Sequence, residues 1–276
     1  MNYKIVADSS SNILSLDQAN FTSVPLHILV GEHEFVDDEQ IDLVSMQNAL
    51  SSHKGKSSTS CPSPGDWEAA FEDAETVFCV TITSELSGSN ASANTAKQLY
   101  EEQHPDRKVY IFDSLSAGPE MVLIIEKIHE LILSGCDEEQ VYLKTCEYMQ
   151  HTHLYFSLAS VANMAKNGRV SPILAKGIGL LGIKVVGKAS DAGTLQPLDK
   201  CRGDKRAIRC LVDHMKELGY QDGKIIIAHN QNPEGAKALK ELIIKEFGDF
   251  HGYIHETRGL CSYYAEPQSM MLGFEA

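Results

Sequence analysis

The chain has 276 residues, 43% of them hydrophobic and 22% charged, which is enough for two domains with their own cores and too apolar for a disordered polymer. Its 38 acidic and 24 basic side chains leave a net charge of −14, a field that repels phosphate backbones and anionic lipid. Nucleic-acid binding is therefore not expected, membrane contact is at most transient, and no apolar run is long enough to cross a bilayer.

The opening Met1-Asn2-Tyr3-Lys4-Ile5-Val6-Ala7-Asp8 lacks the apolar stretch of a signal peptide and reads as a first strand, so a cytoplasmic protein is expected. Asp8-Ser9-Ser10-Ser11 follows with short oxygens suited to capping. Residues 24–30 alternate in period two and predict a second strand; residues 77–83 and 109–112 predict a third and a fourth. Between the last two, Ala91, Thr95, Ala96 and Leu99 share one helical face. Met121, Ile124, Ile125, Ile128, Leu131 and Ile132 then make a wide apolar stripe at helical spacing. Alternation of this kind implies a mostly parallel sheet covered by helices.

The second half differs in texture. Residues 154–158, 183–186 and 225–228 are strand-like, and Gly193-Thr194-Leu195 suggests a hairpin. Asn167-Gly168-Arg169-Val170-Ser171-Pro172 reads as a turn, with Ser171 capping a helix that begins at Pro172. Ile208, Leu211, Val212, Met215 and Leu218 mark one helix; Ala236, Leu239, Leu242, Ile243 and Phe247 mark another. A boundary falls near residue 150, giving an N-terminal domain over 1–152 and a C-terminal one over 153–276.

The seven cysteines are odd in number and scattered, without a Cys-x-x-Cys pair, which argues against both a disulfide framework and a structural zinc site. His151-Thr152-His153 has no acidic partners beside it, so no metal is expected there. Neither glycine-rich nucleotide loop is present, and no cofactor is expected.

Two segments concentrate small hydroxyl donors where strands should end: Ser57-Ser58-Thr59-Ser60-Cys61-Pro62-Ser63-Pro64 and Thr83-Ser84-Glu85-Leu86-Ser87-Gly88-Ser89. In open α/β sheets ligands bind at the carboxyl ends of strands, and a helix N-terminus adds free N–H groups and a favourable field for an anion. Such loops can hold a carboxylate or a phosphate without a fixed positive charge. Ordinary caps and turns explain the same residues about equally well.

Taken in order, these segments resemble the DegV family, which includes the bacterial fatty acid-binding proteins that serve fatty acid kinase. Val6-Ala7-Asp8-Ser9-Ser10 is similar to its opening strand and Asp-Ser turn. Thr59-Ser60-Cys61-Pro62-Ser63 is similar to its Thr-Ser-Gln-Pro-Ser loop, with Cys61 in place of Gln. Ser84-Glu85-Leu86-Ser87-Gly88-Ser89 resembles Ser-x-Leu-Ser-Gly-Thr, and Phe112-Asp113-Ser114 resembles the central Asp-Ser strand end. Lys166-Asn167-Gly168-Arg169-Val170-Ser171 resembles Lys-Gly-Gly-Arg-Ile-Ser, with Asn167 for the first Gly. Residues 182–186, Gly193-Thr194 and Lys200-Cys201-Arg202 continue the order.

The resemblance implies two α/β domains: an N-terminal Rossmann-like, mostly parallel sheet with helices on both faces, and a C-terminal α+β domain with a mixed or antiparallel sheet. It implies a non-enzymatic carrier that holds a long-chain fatty acid between the domains and presents it to the kinase. The carboxylate would sit on Thr59 and Ser87, flanked by Ser60 and Gly88. Tyr264, in Ser262-Tyr263-Tyr264-Ala265-Glu266-Pro267, stands where the family has a C-terminal His; His255 falls too early, and a Tyr hydroxyl also donates a hydrogen bond. Arg169 and Arg202 match family arginines that serve the phosphorylated head group or the kinase contact, a surface salt bridge being the plainer alternative. Two other functions use the same residues: an acyl hydrolase with Ser87 or Cys61 as nucleophile, although no Gly-x-Ser-x-Gly elbow is present, and a binding module for another small anion.

Overall fold

The computed structural model describes residues 2–170 and 182–276, so the helix start expected at Ser171-Pro172 lies outside the described residues. Runs of β-branched and aromatic residues form a parallel sheet from β1 (Tyr3–Asp8), β2 (Phe21–Val24), β6 (Thr76–Thr81) and β7 (Lys108–Asp113), in the order β2-β1-β6-β7. Because all four run the same way, Asp8, Thr81 and Asp113 come to one edge. α2 (Pro64–Phe71) and α3 (Ser89–Gln103) cover one face through Trp67, Phe71, Ala93, Ala96 and Tyr100. α4 (Pro119–Leu133) and α5 (Glu138–Tyr148) cover the other.

Two sequence expectations need correction here. α3 buries Ala93, Ala96 and Tyr100, while Ala91, Thr95 and Leu99 are exposed; small polar residues all round this helix leave the apolar face ill defined. Residues 24–30 are not one strand. Val24 ends β2 against Asp8, and β3 (His27–Val30) pairs antiparallel with β4 (His33–Val36) and β5 (Ser57–Ser60) in a separate sheet. Pro25 stands between the two and has no N–H to continue a ladder. The serine-rich first segment is thus partly a strand, its backbone paired to His27–Val30. α1 (Leu43–Ser52) packs on this small sheet.

The second half is a six-stranded sheet of β8 (Thr152–Leu158), β9 (Ile183–Ala189), β10 (Leu195–Arg202), β11 (Ile225–Asn230), β12 (Gly252–Glu256) and β13 (Ser269–Glu275). The order is β10-β9-β8-β13-β11-β12, antiparallel except for β11 beside β12. The hairpin between β9 and β10 turns at Gly193, as its sequence suggests. α7 (Asp204–Leu218) and α8 (Pro233–Phe247) pack the expected apolar stripes on its outer side, with Leu242 and Phe247 partly buried and Leu218, at the end of α7, exposed. Two short helices, α6 (Ala162–Lys166) and α9 (Gly259–Ala265), were not anticipated from the sequence, and neither were β12 and β13.

α4 joins the two halves. Met121, Ile124, Ile125 and Ile128 face the parallel sheet, while Val122 and Leu123 pack with Ile226 of β11. A helix apolar on both sides is one buried between layers. Its first turn lies so close to β13 that a Cβ on Gly273 would fall 2.6 Å from the carbonyl carbon of Pro119.

Candidate ligand-binding site

The two hydroxyl segments meet. The position of a Cβ on Gly88 would be 3.2 Å from Cys61 Sγ, so the end of β5 and the turn before α3 share one wall. Two buried or half-buried carboxylates hold that turn from behind. Asp8 accepts from the Ile82 N–H at 2.9 Å, the Ser89 hydroxyl at 2.7 Å and the Ser10 N–H at 3.2 Å. Asp113 accepts from the Ser84 N–H at 3.2 Å and the Leu115 N–H at 3.1 Å. Burial still pushes the Asp8 carboxyl above its usual range, against the pull of those donors.

α9 brings a pair of tyrosines to β5. Tyr264 shares a 2.8 Å hydrogen bond with Thr59 Oγ1, and Tyr263 shares one of 2.8 Å with Ser57 Oγ. Strand residues two apart point the same way, which is why Ser57 and Thr59 both face the helix. Asn167 donates to the Tyr263 hydroxyl at 2.8 Å, fastening α6 to the same corner. The helix itself is held by Asp37, whose carboxylate accepts from the Gly259 and Leu260 N–H groups at 2.8 Å each. Burial raises the Tyr264 hydroxyl; its bond to Thr59 and the charge of Arg169 pull the other way.

A cavity of about 250 Å3, or about 1040 Å3 of free space counted out through its mouth, opens beside these groups. Thr59, Ser60, Cys61, Ser87, Gly88, Arg169 and Tyr264 line it. The rest of its wall is apolar: Leu154, Phe156 and Leu158 from alternate positions of β8, with Leu26, Ile82, Met164, Leu195, Leu260 and Met271. Arg169 is half-buried and tied to the second loop, its Nε donating to the Leu86 carbonyl at 3.2 Å. With Ser84–Gly88 and Gly168 it also borders a shallower surface groove of about 410 Å3, so the same loop separates the cavity from solvent.

Of the residues expected from the sequence, Thr59, Ser60, Ser87, Gly88, Tyr264 and Arg169 line one cavity. Arg202 does not: it is exposed at the end of β10. His255 lies on β12 and bonds the Glu256 carbonyl at 3.0 Å, away from the cavity. Sequence reasoning missed the apolar wall, although the period-two run Leu154, Phe156, Leu158 carried the signal. Uncharged donors beside a greasy slot can orient one anionic group and bury an apolar tail.

A sequence profile described as "Uncharacterised protein, DegV family" matches residues 2–276. A DegV domain-containing protein of Streptococcus pneumoniae strain R6 is 42% identical, the match covering 100% of this chain and 99% of that protein. Among solved structures, the Streptococcus pneumoniae fatty acid kinase B3 protein loaded with linoleic acid superposes with a TM-score of 0.97, at 42% identity over 100% of this chain and 99% of that one. A DegV family protein from Eubacterium eligens loaded with heptadecanoic acid gives 0.97 at 40% identity, covering 99% of each chain. A third, from Ruminococcus gnavus and refined with vaccenic acid, gives 0.91 at 28% identity over 98% of this chain and 99% of that one. The chain belongs to the DegV family.

Proposed function

We propose that this protein binds one long-chain fatty acid between an N-terminal domain (1–152) and a C-terminal domain (153–276), and presents it to a fatty acid kinase without catalysing a reaction itself. One observation carries the reading: a single cavity combines the hydroxyls of Thr59, Ser87 and Tyr264 with an apolar wall from β8, β13 and α9. The three solved relatives hold linoleic, heptadecanoic and vaccenic acid, which supports the ligand class. Burying methylenes yields roughly 0.8 kcal/mol each, on the order of 10 kcal/mol for about fourteen. That exceeds ordering costs with enough to spare for tight binding, so the head group needs only orientation.

Thr59 and Ser87 hold the carboxylate in this reading, with Tyr264 as a third donor through its shared bond to Thr59. Arg169 borders both the cavity and the outer groove, and it faces the head group where a kinase would deliver phosphate. No histidine is among the described residues lining the cavity, which favours the carrier over a hydrolase that would use Ser87 or Cys61 with an imidazole base in the cavity. Denaturing mass spectrometry of the purified protein tests the proposal: one fatty acid per chain is expected. A chain that carries no lipid, and takes up none when offered oleate in solution, rules the proposal out.

A further inference from the structure

We propose that Asp199, Cys210 and His214 form a site for a zinc-type transition-metal ion, on the outer side of the six-stranded sheet and separate from the residues that line the ligand cavity. The three donor atoms lie within 4.8 Å of one another. His214 Nε2 is 2.7 Å from Asp199 Oδ2, and the Cys210 thiol donates to the same oxygen at 3.3 Å. Two local structures bring them together. A bulge in β10 between Pro197 and Asp199 resets the alternation, so that Asp199 and the buried Cys201 share the face that packs under α7. Cys210 and His214 stand four residues apart, one turn of that helix.

The second ring nitrogen of His214 bonds Glu217 Oε2 at 2.9 Å. A carboxylate in that position holds the ring and its tautomer so that Nε2 presents its lone pair to a metal. Three electron-rich atoms then converge on one point, which needs either shared protons or a cation to be stable. A divalent ion binding there displaces the thiol proton of Cys210 and any proton on His214 Nε2 to solvent. It forms bonds to Sγ, Nε2 and Oδ2, leaving a fourth, tetrahedral position to water. Ligand bonds of about 2.0–2.3 Å put tetrahedral neighbours about 3.3–3.6 Å apart, so the Asp199–His214 pair must open by less than an ångström. Thiolate with imidazole selects zinc or cobalt over magnesium or calcium.

The full-length chain, reduced and stripped with chelator, is to be titrated with Co2+. One ion per chain and a thiolate-to-cobalt charge-transfer band are expected, both competed away by Zn2+ and unaffected by Mg2+. Cys210→Ser removes the band, and Asp199→Asn and His214→Gln each weaken binding about tenfold or more. Cys136→Ser, at a thiol elsewhere on the surface, retains the band. Thermal melts of the metal-free variants establish that they fold. Absence of the band from the folded native chain overturns the proposal, as does an undiminished band in folded Cys210→Ser.

Discussion

Thr59 owes its position to two partners: the backbone ladder of β5 against β3, and the Tyr264 hydroxyl at 2.8 Å. Ser87 sits in a turn that Asp8 and Asp113 brace, one residue before Gly88, where a side chain would crowd Cys61. Replacing both hydroxyls removes the direct donors, with the Thr59–Tyr264 bond and the Ser89 N–H to Ser87 Oγ bond, and leaves the Asp8 and Asp113 braces intact. Thr59→Ala with Ser87→Ala is expected to weaken fatty acid affinity about tenfold or more, equivalent to about 1.4 kcal/mol, in a chain that still folds but melts somewhat lower for the lost Tyr264 and Ser89 bonds. Calorimetric titration with oleate checks this, and equal affinity would place the carboxylate elsewhere. Glu120 offers a separate test. It is buried on α4, accepts from Thr152 Oγ1 at 2.9 Å, and is raised by burial from 4.5 to about 7. The folded state therefore holds this proton over a range where the unfolded chain has lost it. Its contribution favours folding below about 4.5 and is lost as pH rises to about 7, a loss of about 3 kcal/mol. Urea midpoints measured at pH 5.5 and 8 should fall with pH in the native chain, and Glu120→Gln should flatten that fall.

Among the elements, α9 has the most to do with the site for its size. It is seven residues long, too short to persist alone, and it carries both tyrosines. Asp37 supplies acceptors for its first N–H groups, and burial raises that carboxyl despite them. Gly259 lets the two approach: a Cβ there would lie 2.7 Å from the Asp37 carboxyl and 2.6 Å from Ile41 Cδ1. Gly259→Ala is expected to destabilise by about 1–3 kcal/mol through the disturbed caps and to weaken ligand binding by displacing Tyr264. Denaturant melts and titration on the same sample check both effects, and an unaltered affinity would show that Tyr264 is not needed. α4 works at longer range. Its two apolar sides pack on the parallel sheet and on the six-stranded sheet, so one helix is shared by the two halves.

At the scale of the molecule, the cavity takes its wall from β5 and the loop after β6 in the first half, and from the six-stranded sheet and α9 in the second, so a bound acyl chain should stabilise the halves together. At a ligand concentration about a hundredfold above Kd, the gain is about 2.7 kcal/mol, which raises the melting temperature by about 5 °C or more for a chain of this size. Calorimetry should show one transition moving as a whole; a second transition left in place would mean that only one half contacts the ligand. Among the described residues no helix is long and apolar enough to cross a membrane.

The sequence by itself determined the parallel sheet, the wide stripe of α4, the hairpin at Gly193 and the two hydroxyl segments, because periodicity, turn residues and strand-end donors are local properties. It also carried the family likeness, which rests on the order of short motifs. Only the tertiary structure decided that residues 24–30 divide between two sheets, that β5 pairs where serines suggested a loop, and that Leu154, Phe156 and Leu158 face the slot. The same holds for Asp199, Cys210 and His214, whose spacing matches no linear metal motif because a bulged strand and a helical turn bring them together. The features of the cavity depend on contacts between residues more than 200 positions apart, such as Thr59 with Tyr264 at a separation of 205, and no local preference encodes which distant partner a side chain will meet.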